Sequence, residues 1–189
     1  MRLKSIVACL FIVNLTFSNA IADTSSPEIT VKTVIGMIKE KGDPSPIVDY
    51  VDWKESFNSL PEKNRKIMEV ESEDDLREFY RKILLSPAKE IVRVFETKFK
   101  DKIAEEKVES VIETVKQRAL VKEEEIRKRI KESEYDVGKP EVSGTTALVP
   151  LTYRYGSESK TESIKMIKTN DQWMFAGLGG FSFNSEAKK

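Results

Sequence analysis

The feature that most constrains this chain is the alternation within Thr145-Thr-Ala-Leu-Val-Pro-Leu-Thr-Tyr-Arg-Tyr155. It sets Ala147, Val149, Leu151, Tyr153 and Tyr155 on one side of an extended backbone. Successive side chains of a strand point to opposite faces, so this spacing, rich in β-branched and aromatic residues, predicts a half-buried strand. Gly156-Ser-Glu-Ser159 turns the chain, Ser163-Ile-Lys-Met-Ile-Lys168 returns it, Asn170-Asp171 turns it again, and Gln172-Trp-Met-Phe-Ala176 follows. A meander with one apolar face needs a cover to be stable in water. Pro150 adds a second constraint: lacking an N–H, it marks an edge or a bulge in the middle of the strand pattern. A bulge bends a sheet, and a bent sheet with helices on its concave side makes a cone with a pocket.

The cover lies upstream. Val31, Val34, Ile35 and Ile38 recur at helical spacing within Thr30 to Lys41, and Gly42 stops that helix. Asp43-Pro-Ser-Pro46 breaks the chain, and Ile47 to Phe57 reads as a short helix packing on the first. Leu60-Pro61 opens another helical piece through Ile67, Met68 and Val70. Ser72 caps a helix carrying Leu76, Phe79, Tyr80, Ile83 and Leu84 on one stripe, with Asp75 in the capping-box place. Ser86-Pro87 ends that helix and starts the next, whose apolar positions run from Ile91 to Ile103. The longest helical reading spans about Glu105 to Ser133, with Glu123, Glu124 and Glu125 each four residues ahead of a basic partner at Arg127, Lys128 and Arg129. Whether it runs unbroken past Arg118 to Leu120 is open. Helices followed by antiparallel strands give the expected fold class: α+β, N-terminal helices packed on a curved, cone-like C-terminal antiparallel sheet.

The first residues read as an export signal. Arg2 and Lys4 precede a mostly apolar run, Ser5 to Phe17, and Ser18-Asn-Ala20-Ile-Ala22 offers small residues at cleavage spacing. The expectation is cleavage after Ala22, or alternatively after Ala20, and a periplasmic or secreted mature chain with no stable membrane span. Residues 1–22 are then signal peptide and 23–29 a flexible polar leader. Residues 30–183 form a single α+β domain, with helices over 30–133 and sheet over 135–183, and 184–189 a polar tail. The sole cysteine, Cys9, lies inside the signal, so the mature chain has no disulfide, which fits a bacterial periplasm.

Composition narrows the chemistry. The chain has 32 basic and 32 acidic residues and no histidine. A balanced chain lacks the basic field that nucleic acid demands, so no nucleic-acid partner is expected. Without histidine, Ser-His and Cys-His catalysis and His-containing zinc motifs are excluded. No motif points to a cofactor, and none is expected; no metal site is expected either.

Several segments carry a resemblance. Pro27-Glu-Ile-Thr-Val-Lys32, Gly42-Asp43 and Ile47-Val-Asp-Tyr-Val-Asp-Trp53 in the front half are similar to the start of small exported bacterial proteins of the nuclear transport factor two-like (SnoaL-like, cystatin-like) superfamily. Tyr135-Asp-Val137, Val142 to Val149, Ser163 to Lys168 and Asp171-Gln-Trp173 resemble its ending. The resemblance implies a curved sheet wrapped on helices with a cavity between. It carries no function, because the superfamily holds enzymes and non-enzymes alike.

Candidate site residues are few. Tyr50, Trp53 and Phe57, with Tyr80, are the aromatics that could line an apolar ligand mouth, although aromatics at helical spacing more often serve a core. Asp49 and Asp52 beside Tyr50 and Tyr80 are the raw material for a carboxylate and tyrosine isomerase, but their spacing matches no such motif. Glu123 to Glu125 point in different directions on a helix and read as a solvated face rather than a cation site. Gly177-Leu-Gly-Gly180 lacks the lysine and following helix of a phosphate loop and reads as a strand exit. The expected function is a non-enzymatic binding or accessory domain engaging an apolar small molecule, a lipid or an envelope protein. The alternatives are a module that homodimerises through its sheet, and an isomerase or lyase with no catalytic residue assignable.

Overall fold

The structure, a computed structural model, describes residues 24–99 and 107–178. The expected signal peptide with Cys9 and its expected cleavage sites, Ile103, the end of the glycine run and the expected polar tail lie outside the described residues. Among the described residues six α-helices precede five strands: α1 (Pro27–Lys41), a 3-10 helix (Ser45–Tyr50), α2 (Trp53–Ser59), α3 (Glu62–Met68), α4 (Glu73–Leu85), α5 (Pro87–Phe99) and α6 (Val108–Glu132), then β1 (Glu134–Val137), β2 (Glu141–Ser143), β3 (Thr146–Tyr155), β4 (Glu158–Thr169) and β5 (Gln172–Phe175). This is the α+β class, with the antiparallel sheet curled into a half-barrel around its helices.

The α1 helix starts at Pro27, earlier than the apolar periodicity suggested. Ser26 Oγ accepts from Ile29 N at 3.2 Å, and Pro27 brings a helical φ at a position whose N–H would be unpaired anyway. The leader is therefore shorter than expected, and its described part is tied down, because Trp173 N donates to the Thr24 carbonyl at 3.1 Å. At the other end Gly42 adopts φ 72° and donates to Ile38 O at 2.8 Å, closing the last turn. A Cβ there would meet the flexible end of the Lys131 side chain, which can move aside, so it is the positive φ that favours glycine.

The helix expected over Ile47–Phe57 is instead two pieces. After the 3-10 helix the backbone extends at Val51, which forms a parallel bridge to Phe175, and Asp52 N donates to Phe175 O at 2.9 Å. Val48 and Val51 satisfy a helical spacing, yet the second lies beside a sheet edge with an acceptor to fill. Asp52 then caps α2 by accepting from Glu55 N at 2.9 Å.

In the sheet, β3 is central, pairing with β1 and β2 on one side and β4 on the other, while β5 lies beyond β4. The expected inward face is the observed one: Ala147, Val149 and Leu151 are buried, and Tyr153 and Tyr155 half-buried. Register places Ala147 beside Met166 and Met166 beside Phe175. Pro150 sits where β1 and β2 part. Val137 faces Leu151 and Glu141 faces Leu148, so residues 138–140 oppose only residues 149–150, and the extra residue makes a bulge. Gly138 N donates to Pro150 O at 2.8 Å, so the side of Pro150 that lacks an N–H faces this interruption. The Asn170–Asp171 turn has positive φ at both residues, 49° and 62°, as a two-residue hairpin of the primed type requires.

The core forms where α1 crosses the concave face. Val31, Val34, Ile35 and Ile38 pack with Ile47, Val51 and Ile130 against Val149, Ile164, Met166, Trp173 and Phe175. Six of these, Val31, Val34, Ile38, Val149, Met166 and Phe175, have essentially no exposure. The C-terminal part of α6 joins this core through Ile126 and Ile130, while α5 packs along α6. The α6 helix is continuous past Arg118–Leu120, and its 25 residues span about 37 Å. Of the three expected i,i+4 pairs, Glu123–Arg127 forms at 3.0 Å. Arg129 instead turns to Glu158 of β4 and stacks on the Tyr155 ring, and Glu125 lies beside Lys122. Among the described residues no helix is long and apolar enough to cross a membrane.

Candidate functional site

The four aromatics singled out by the sequence do not converge on one mouth. Trp53 opens α2 directly after the Asp52 cap, and its indole N–H donates to Val48 O at 2.9 Å. Its ring lies 5.7 Å from that of Tyr80 on α4, and Phe79 meets Tyr80 edge-on at 5.6 Å. Burial raises the Tyr80 phenol above its ordinary pKa by disfavouring the phenolate. These three rings make a seam that fastens α2 to α4. Tyr50 packs at the rim of the main core. Phe57, one turn further along α2, lies under the Arg65 guanidinium of α3 at 4.9 Å. Trp53 therefore meets Tyr80 and packs with Tyr50 against the main core, while Phe57 lies under Arg65.

The carboxylates beside them are engaged structurally. Asp49 accepts from Arg77 at 2.9 Å and lies 3.6 Å from Arg81. Asp52 uses one oxygen for the α2 cap and the other to accept from Thr169 Oγ1 at 2.6 Å. Thr169 could not have been found from the local pattern, because it lies far along the chain at the end of β4. Ser56 adds a parallel tie by donating to Ala176 O at 3.2 Å. Together Val51, Asp52 and Ser56 strap α2 onto the end of β5.

Besides a groove of about 360 Å³ along Met68, Phe79 and Arg93, two others bear on the candidate residues and on the sheet. One of about 300 Å³ runs between α2, α4 and the β4–β5 turn, lined by Asp52, Trp53, Glu73, Asp74, Arg77 and Met174 among others. Its charges are mixed, and Asp52 is already taken up by its two donors. The other, of about 500 Å³, lies at the β2–β3 hairpin, with Val142, Ala147 and Leu148 flanked by Glu141, Ser143, Thr146 and Lys165. Val142 and Leu148 are 55% and 45% exposed, which makes this the more apolar of the two surfaces.

The glutamate run of α6 does not gather as a cation site. Glu123 Oε2 accepts from Ala88 N at 3.1 Å, so it caps the first turn of α5, while Oε1 binds Arg127, which in turn lies 3.6 Å from Asp43. Among the described residues no group of three or more His, Cys, Asp or Glu side chains could hold a metal ion. Compared with known proteins, the chain matches no family model, no curated protein and no solved structure.

Proposed function

We propose that this chain is an exported, non-catalytic accessory domain that acts through its outer surface on a protein of the cell envelope. The observation that carries this reading is the filled interior: Phe175, Ile38, Ile164, Met166 and Val149 occupy the space between α1 and the sheet with almost no exposure. A domain that enclosed an apolar ligand would leave that space open, as buried apolar sites for small molecules do. The carboxylates near the candidate tyrosines have structural duties, and this favours a binding role over an isomerase or lyase. The nuclear transport factor two-like resemblance belongs to the same proposal, supported by the order of helices and curled sheet.

A second reading, homodimerisation through the sheet, draws on the exposed Leu148 and Val142 beside the β2–β3 groove. The bulge at residues 138–140, with Lys139 and Pro140 in it, blunts the neighbouring edge, so such a dimer would meet face to face rather than edge to edge.

Native mass spectrometry of residues 23–189 isolated from the envelope fraction tests both readings. The expected result is a monomer without a small-molecule adduct, crosslinked in cells to one envelope protein and losing that crosslink in Leu148→Glu. A reproducible apolar adduct released on denaturation overturns the proposal. A dimer that Leu148→Glu dissociates replaces it with the second reading.

A further inference from the structure

We draw no further inference here: the strongest candidate, the groove lined by Asp52, Glu73, Asp74 and Arg77 between α2, α4 and the β4–β5 turn, is a surface groove of mixed charge in which Asp52 is already held by Thr169 and the α2 cap, and no second feature of it points to a ligand.

Discussion

The half of the molecule built from α1 and the sheet and the half built from α5 and α6 are stabilised in different ways. In the first, side chains such as Val31, Val34, Val149 and Phe175 are withdrawn from water from every side. In the second, the buried side chains among the described residues are small, Ala88 and Ala119, until α6 reaches Ile130 at the main core, and Ile91, Val94, Leu120 and Val121 remain exposed. Hydrophobic stabilisation follows the area removed from water, so the first half holds most of it. The helical pair relies on its own backbone bonds and on a few polar ties to the body. Stability of this kind is local, and segments with little buried apolar area open first.

The sharpest way to break the comparison is to empty the core. Phe175→Ala removes a fully buried ring that touches both α1 and the strap at Val51. Removal of a core phenylalanine costs about 3–5 kcal/mol, a large share of a small domain's stability. Urea denaturation should show the midpoint collapsing for both tryptophan fluorescence and helical circular dichroism. Ile91→Ala on exposed α5 should move the midpoint by less than about 0.5 kcal/mol. Equal effects from the two substitutions would mean that the halves are not energetically distinct.

The next test concerns the strap. Asp52→Ala deletes the α2 cap and orphans the Thr169 hydroxyl, and losing a cap together with a charged hydrogen bond costs about 1–3 kcal/mol. A double-mutant cycle with Thr169→Val should give a coupling of about 1 kcal/mol, because the pair is in direct contact. Additive effects would show that the 2.6 Å bond contributes nothing of its own. Hydrogen exchange on the same variants should show faster exchange at β5 and α2, leaving α5 unchanged.

This strap also marks where the sequence stops being informative. The alternation of Ala147 to Tyr155, the helical spacing of Val31 to Ile38 and the stop at Gly42 were legible because each is a periodic or conformational signal within one element. Pro150 announced an edge or a bulge, and the structure has the bulge, on the segment that faces it. Asp52 was visible as an acid near tyrosines, but nothing local says that its partner is Thr169, since that contact exists only once the β4–β5 turn folds back onto α2. Val51 was misassigned because its spacing from Val48 fits a helix, while the sheet edge that claims it lies far along the chain. Tyr50, Trp53, Phe57 and Tyr80 were recognisable as aromatics for one candidate mouth, but nothing local says that Trp53 meets Tyr80 while Phe57 lies under Arg65. Glu123 looked like one of three equivalent helix-surface acids, and its role as the cap of a neighbouring helix depends on tertiary packing alone.

That cap supplies a smaller, more local test. Glu123→Gln keeps the shape and one acceptor but removes the charge that Arg127 and the α5 N-terminus both attract. The expected loss is about 0.5–1 kcal/mol, read as faster amide exchange over α5, with the sheet amides unchanged. Simultaneous loss of protection in β3 and β4 would tie the helical pair to the main core and erase the contrast between the halves.

The smallest effect lies at the start of α4, where pH is the probe. Asp75 is held below the usual carboxylate range first by the Ser72 hydroxyl, then by the Glu71 N–H and the Ser72 backbone. Its folded pKa is lower than its unfolded one, so its contribution is complete above the usual carboxylate pKa. That contribution disappears as pH falls through the depressed folded value. The carboxylate is exposed to solvent and screened, so the change is small. Urea midpoints of the native chain and of Ser72→Ala should therefore differ at pH 6 and converge partly as pH drops below about 4, where protonation weakens the bond that the substitution has already removed. A gap that stays constant across this range would mean that Ser72 acts only by accepting from Asp75 N, and that the carboxylate takes no part in starting the helix.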